Sequence, residues 1–303
     1  MPATRASLAA VLLVTALSGC DGDRRCNGQE ALCSRAYTDV TFPGTHNAYS
    51  TTAEGFGAAN QSLTISQQLA LGVRTLHLEA QHWDDGPYLC HSLCTIGHKR
   101  LADGLAEVGV FLKAHGREVV TLLVETSNLP PAEVKAAFDE ADVTRYAHPH
   151  ALGTPWPTLG ELIAKGERLV VLVDHDEGYA TYPWWLPRWK FTFQTPWNNQ
   201  SPEDYLRCFA DRGDDKNPLY TVDVYQEDLI LPKPEHDALV NRNPFLINRV
   251  RHCQMTMMRR PNFVLVNYVE VSDLIAAVDT MNGFGTVATD WDAFPPLDGG
   301  TRD

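Results

Sequence analysis

The chain has 303 residues, of which 44% are hydrophobic and 21% charged, and its formal net charge is −13. That apolar share belongs to a globular protein with a sizeable core and excludes wholesale disorder. The acidic balance argues against a nucleic-acid partner, which needs a basic face for phosphates, and against attachment to anionic lipid through a polybasic patch.

Arg5 gives a short positive start, and residues 7–17 form an apolar run too short to span a bilayer as a helix. The run ends in Leu17-Ser18-Gly19-Cys20. This pattern resembles the bacterial lipoprotein signal, in which the cysteine is lipidated and becomes the first residue. The expectation is a signal peptide over residues 1–19, lipidation at Cys20 and an anchor or spacer over residues 20–38. An exported protein held at the cell envelope by one lipid anchor follows, with plain secretion as the alternative. No later segment is apolar and long enough to cross a membrane, and a monomer is expected.

Export also accounts for the cysteines. Beyond Cys20 there are six: Cys26, Cys33, Cys90, Cys94, Cys208 and Cys253. An even number in an exported chain reads as three disulfides, with fifteen connectivities open. Local pairing favours Cys26 with Cys33 and Cys90 with Cys94, leaving Cys208 for Cys253. The spacings lack the C-x-x-C repeats of a structural zinc site.

Strand and helix patterns alternate from there on. A short strand candidate covers residues 39–42. A helix over 65–71 stops at Gly72, and a strand follows over 75–79. Asp84-Asp85-Gly86 is a turn signal before a second short strand over 88–90. A helix over 101–114 leads to a strand over 119–125. Pro131 opens a helix over 131–139. Thr158-x-x-Glu161 is a capping box for a helix over 158–165. Strands over 169–174 and 263–268 are nearly all apolar, as in a parallel sheet covered on both faces. A last helix covers 272–281. The aromatic run over 184–193, with Tyr179, Tyr182 and Trp197 nearby, reads as core packing in preference to a lipid-dipping loop or one wall of the site. The order, with no linker or repeat, predicts an α/β fold: one distorted TIM (β/α) barrel over residues 39–303.

Polar residues close these strands. They are His46, Glu79, His91, Glu125, Asp174 with His175, and Asn267. In a parallel barrel such ends share one mouth. Two histidines there can divide general-base and general-acid work. Asn47, Glu79 and Glu125 are oxygen ligands suited to Ca²⁺ or Mg²⁺. Asp174-His175-Asp176 reads at least equally well as a solvated loop.

Four blocks then carry a family resemblance: residues 42–49 (FPGTHNAY), 68–79 (QLALGVRTLHLE), 88–92 (YLCHS) and 118–125 (EVVTLLVE). In order and spacing they resemble the catalytic X domain of phosphatidylinositol-specific phospholipase C, in its secreted X-domain-only form. The resemblance implies a distorted TIM barrel and phosphodiester cleavage by an internal hydroxyl. It implies His46 as general base and His91 as general acid. Asn47, Glu79 and Glu125 would ligate Ca²⁺, on a phospholipid or inositol phosphodiester substrate.

Two departures stand out. His77 occupies an often acidic position and either ligates or hydrogen-bonds. Asn267 stands where relatives carry an aspartate that orients the base, and an amide cannot stabilise the imidazolium by charge. Arg74 is expected in a structural ion pair. Two other readings remain. One is a glycerophosphodiester-type hydrolase, which needs a Glu-x-Asp pair where this chain has Glu79-Ala80-Gln81. The other is a non-catalytic ligand-binding protein on the same barrel.

Overall fold

The computed structural model describes residues 24–91, 93–126, 129–226 and 232–294. The expected signal peptide and the lipidation site Cys20 lie outside the described residues. Among the described residues there are ten strands: β1 Phe42–Thr45, β2 Thr75–Trp83, β3 Gly86–Leu89, β4 Lys99–Arg100, β5 Val120–Glu125, β6 Leu169–Val173, β7 Trp185–Pro187, β8 Thr192–Gln194, β9 Leu219–Asp223 and β10 Phe263–Val266. The helices are α1 Ile65–Leu71, α2 Leu101–Ala114, α3 Pro131–Glu140, α4 Leu159–Lys165, α5 Arg188–Phe191, α6 Pro234–Val240, α7 Phe245–Met257 and α8 Leu274–Met281.

Eight strands pair in parallel in the order β7-β6-β5-β2-β1-β10-β9-β8. This is a distorted (β/α) barrel whose two edge strands, β7 and β8, are joined through α5. Capping boxes at Thr64 and Thr158 start α1 and α4, and left-handed Gly72 and Gly166 end them.

Parity along the strands decides what the barrel encloses. Val120, Leu122 and Val124 of β5, and Leu169, Val171 and Val173 of β6, pack with the helices. Leu123, Val170, Leu172, Phe263 and Leu265 form the inner cluster. Both faces of these strands are buried, which explains their continuous apolar runs. The inward parity that includes Leu123 also aims Glu125 inward. On β2 and β9 the same alternation turns His77, Glu79 and Asp223 toward the axis.

The first strand begins later than residues 39–42 would suggest. Tyr37–Asp39 forms a 3₁₀ turn, and β1 contains Pro43 and Gly44, which propensity disfavours in a strand. Pairing overrides propensity: Phe42–Thr45 aligns with Phe263–Val266 of β10. A Cβ on Gly44 would stand 2.5 Å from Leu265 Cδ2 and 3.0 Å from Thr75 Cβ. His46 therefore follows β1 directly.

The candidate strand over 88–90 is not a barrel strand. β2 runs beyond the barrel and returns as β3 in an antiparallel hairpin, Ala80 opposite Leu89 and Trp83 opposite Gly86. His91 reaches the mouth on this return arm.

The aromatic run is core, with Trp185, Leu186, Phe191 and Phe193 buried. Arg74 pairs with Glu118 at 2.7 Å. Residues 24–38 close the lower end of the barrel. Tyr37, fully buried, stacks on Trp156 at 4.8 Å and hydrogen-bonds Thr121. Among the described residues no helix is long and apolar enough to cross a membrane.

Disulfides join Cys26–Cys33, Cys90–Cys94 and Cys208–Cys253. Thiol titration of the unfolded, unreduced protein should find none of these six reactive. Replacing Cys208 and Cys253 by serine should cost about 2–4 kcal/mol, because the bridge closes a 45-residue separation. Gly44→Ala should destabilise by about 1–3 kcal/mol through overpacking against Leu265 and Thr75, read as a fall in Tm.

Candidate active site

The C-terminal ends of the parallel strands open on a cavity of about 100 Å³. His46, His77, Glu79, His91 and Glu125 line it together. Two of the expected site residues stand one layer behind. Asn267 accepts a hydrogen bond from His46, with Nδ1 to Oδ1 3.0 Å. Asn47 is fully buried with its Oδ1 3.1 Å from His77 Nδ1.

His46 is held on three sides. Its ring lies flat on Tyr225, centroids 4.0 Å apart and planes 6° from parallel. Gln61 Nε2 donates to the His46 carbonyl at 2.9 Å and to the Val266 carbonyl at 3.0 Å. Burial, with His77 adding to it, lowers the imidazole well below its ordinary pKa, so the ring is neutral at pH 7. His91 is more exposed, and burial also lowers its pKa. Its Nε2 stands 3.9 Å from Glu79 Oε1.

Glu125 collects positive partners. Its Oε1 lies 3.3 Å from His77 Nε2, 3.3 Å from Arg188 Nη1 and 3.2 Å from Arg212 Nη1. Burial alone would raise its carboxyl. The His77 hydrogen bond and the two guanidinium groups instead hold it well below the usual carboxylate range. His77, Glu79 and Glu125 present ligand atoms that all lie within 4.8 Å of one another, a grouping able to hold a metal ion.

Apart from Trp197, a second wall escaped the sequence reading. Gln194, Trp197, Arg212, Asp223 and Tyr225 also line the cavity. Fully buried Arg188 donates to Gln194 Oε1 at 2.8 Å, and Gln194 Nε2 donates to Asp223 Oδ2 at 2.7 Å. Asp223 is fully buried, its Oδ1 has no hydrogen-bond partner among the described residues, and burial pushes its carboxyl up to about 7. The available signal was modest. Leu219-Tyr220-Thr221-Val222-Asp223 is an apolar alternation ending in an acid, with Tyr225 two residues on.

Asp174 and His175 line another part of the rim and not this cavity. Asp174 Oδ1 accepts from Thr126 Oγ1 at 3.1 Å, and His175 Nε2 lies 2.6 Å from the same hydroxyl. Asp176 pairs with Lys190 at 2.5 Å.

Comparison with known proteins agrees with this geometry. A family model described as PI-PLC X 1 matches residues 32–282. A PI-PLC X domain-containing protein 1 of Arthroderma benhamiae is 31% identical, over 92% of this chain and 95% of that protein. An uncharacterized secreted protein of the same fungus is 27% identical, over 84% of this chain and 62% of its own length. The fold is similar to that of phosphatidylinositol-specific phospholipase C from Listeria monocytogenes. There the TM-score is 0.58 and the identity 14%, over 84% of this chain and 96% of that one. A mutant of the Staphylococcus aureus enzyme gives 0.59 at 13% identity, over 84% and 95%. The match over residues 32–282 takes in every barrel strand, and the chain belongs to the PI-PLC X domain family.

Proposed function

We propose that the protein is a phospholipase C-like phosphodiesterase that uses His46 as general base and His91 as general acid. The observation that carries this reading is the shared cavity. Two neutral imidazoles face one space together with Glu79 and Glu125. His46 Nδ1 is engaged by Asn267, so Nε2 is the nitrogen available to take a proton.

In this mechanism His46 Nε2 removes the proton of a substrate hydroxyl next to the phosphodiester. The resulting alkoxide forms a new P–O bond, giving a cyclic phosphodiester. The P–O bond to the leaving alcohol breaks, and protonated His91 gives its proton to that oxygen. The negative phosphodiester raises the His91 pKa on binding, which puts the proton in place. A polyol head group suits the opposite wall. Asp223, titrating near 7, can donate or accept a hydrogen bond to a hydroxyl.

His77, Glu79 and Glu125 fit a weakly held divalent cation, and Ca²⁺ is proposed. Two carboxylates are few for that ion, and Glu125 is already shared with Arg188 and Arg212. Asn47, expected as a ligand, would instead support the His77 imidazole from behind, with its Oδ1 3.1 Å and its backbone N–H nitrogen 3.4 Å from Nδ1. When bound, the cation would neutralise phosphoryl charge and make the attacking hydroxyl more acidic.

Export with a lipid anchor at Cys20 remains part of the proposal, supported by the N-terminal pattern and the three disulfides. The anchor would hold a monomeric enzyme beside its lipid substrate.

His46→Ala and His91→Ala should each lower head-group release by about 10²–10⁴-fold while leaving far-UV circular dichroism unchanged. Near-normal turnover in either would remove the acid–base assignment. Activity should fall on chelation and return with Ca²⁺ at about 10⁻⁴–10⁻³ M. Glu79→Gln should shift that requirement upward. Full activity in chelator, with an unchanged Glu79→Gln variant, would sink the cation.

A further inference from the structure

The loop after β10 places Asn267 against His46, and helix α6 holds Asn267 from behind. The Asn267 amide oxygen has two neighbours that can donate: His46 Nδ1 at 3.0 Å and Asn60 Nδ2 at 3.4 Å. The amide nitrogen points the other way. Its partner is Asp237 Oδ2 at 3.3 Å. Asp237 is fully buried, and its other oxygen accepts from the Gln226 backbone N–H at 2.9 Å. One turn further on, at the residue that caps the end of α6, Asn241 Nδ2 donates to the Asn267 carbonyl at 2.7 Å. The same helix face thus grips residue 267 by side chain and by backbone.

With Asp237 ionised, the chemistry of this chain of groups has one consistent solution. An ionised carboxylate only accepts hydrogen bonds, so the amide edge facing Asp237 must be NH₂. The oxygen edge then faces His46. An imidazole nitrogen facing an oxygen must carry the hydrogen, so Nδ1 is protonated and Nε2 keeps its lone pair. Without Asp237, the Asn267 amide could turn over and offer NH₂ to Nδ1. That would select the opposite tautomer and leave Nε2 unable to take a proton.

We propose that Asp237 is a positioning residue for this site. Acting through Asn267, it fixes the tautomer and orientation of His46, standing one residue behind the place where a carboxylate would touch the ring. The proposal rests on the reading of His46 as the general base. The expectation that Asn267 leaves the base without a carboxylate thereby acquires a physical answer: the carboxylate is present, transmitted through an amide.

The test is long-range ¹H–¹⁵N correlation of histidine-labelled protein, at a pH where His46 is neutral. The wild-type protein should show His46 protonated at Nδ1. Asp237→Asn removes the acceptor-only edge and should give a mixture with the Nε2–H form. The double variant Asp237→Asn/Asn267→Asp puts the carboxylate directly on Nδ1 and should restore the single tautomer. In turnover, Asp237→Asn should lower kcat by about 10- to 100-fold, the range for partners one layer behind a reacting group, with KM little changed. The double variant should recover most of that loss.

An Nε2–H tautomer in the wild-type protein would overturn the proposal, and this arm needs no variant to fold. So would a folded Asp237→Asn protein that keeps the Nδ1–H form and its kcat. The tautomer readout needs no substrate. A protein with the expected tautomers and no phosphodiesterase activity would therefore fail the functional proposal alone and leave the positioning role standing.

Discussion

A charged carboxylate at the inner end of a buried strand has to be compensated or it neutralises. Glu125 is such a group, and much of the mouth is arranged around it. His77 reaches it from the neighbouring strand β2, to which β5 is paired in register. Arg188 and Arg212 reach it from the other side of the barrel. Arg188 stands at the start of α5, the helix that joins the two unpaired edge strands. The ion pair thus works across the region where the sheet itself provides no hydrogen bonds. Removing either side would leave the other buried without its counter-charge, which is costly in a way that removing both is not.

The same logic of compensation runs through the surroundings of His46. Asn47, Asn60, Asn267 and Asp237 form a buried polar chain connecting His77 to His46 and on to α6. The edges of Asn267 are assigned by what faces them: its oxygen meets His46 Nδ1 and Asn60 Nδ2, and its nitrogen meets Asp237. Buried networks of this kind are worthwhile only when fully satisfied, and they then impose one arrangement on the groups they touch. The two departures from the expected family pattern, His77 and Asn267, are both members of this chain. They are best understood together, as neighbours sharing one set of hydrogen bonds.

The strands β2, β5, β6 and β10 were legible because both of their faces are buried, leaving an unbroken apolar signature. The glycine stop made α1 legible and the capping box α4, and the four motif blocks carried His46, Glu79, His91 and Glu125. The remainder was hidden for identifiable reasons. β7 and β8 have three residues each and sit inside an aromatic run whose composition says only that it is buried. β9 contains Thr221 and Asp223, which interrupt its apolar character. Arg188 and Arg212 belong to no motif, and only their approach to Glu125 in space gives them meaning. Asp237 is on a seven-residue helix that follows residues with no strong periodicity, and nothing in its local sequence marks it as a neighbour of Asn267. β3 was misread in direction because a short apolar run carries no sign of its orientation.

The pairing of β1 with β10 has a consequence for how the molecule comes into being. His46 and Asn267 are separated by 221 positions, yet they meet because the first and last barrel strands are zipped together. Contacts of such long range form late and slowly, since the intervening loop entropy must be overcome before they contribute. A nascent chain that has emerged only as far as β9 can already pair β2, β5 and β6, but it has no Asn267 for His46. His46 therefore acquires its Asn267 partner only after the last barrel strand has been made.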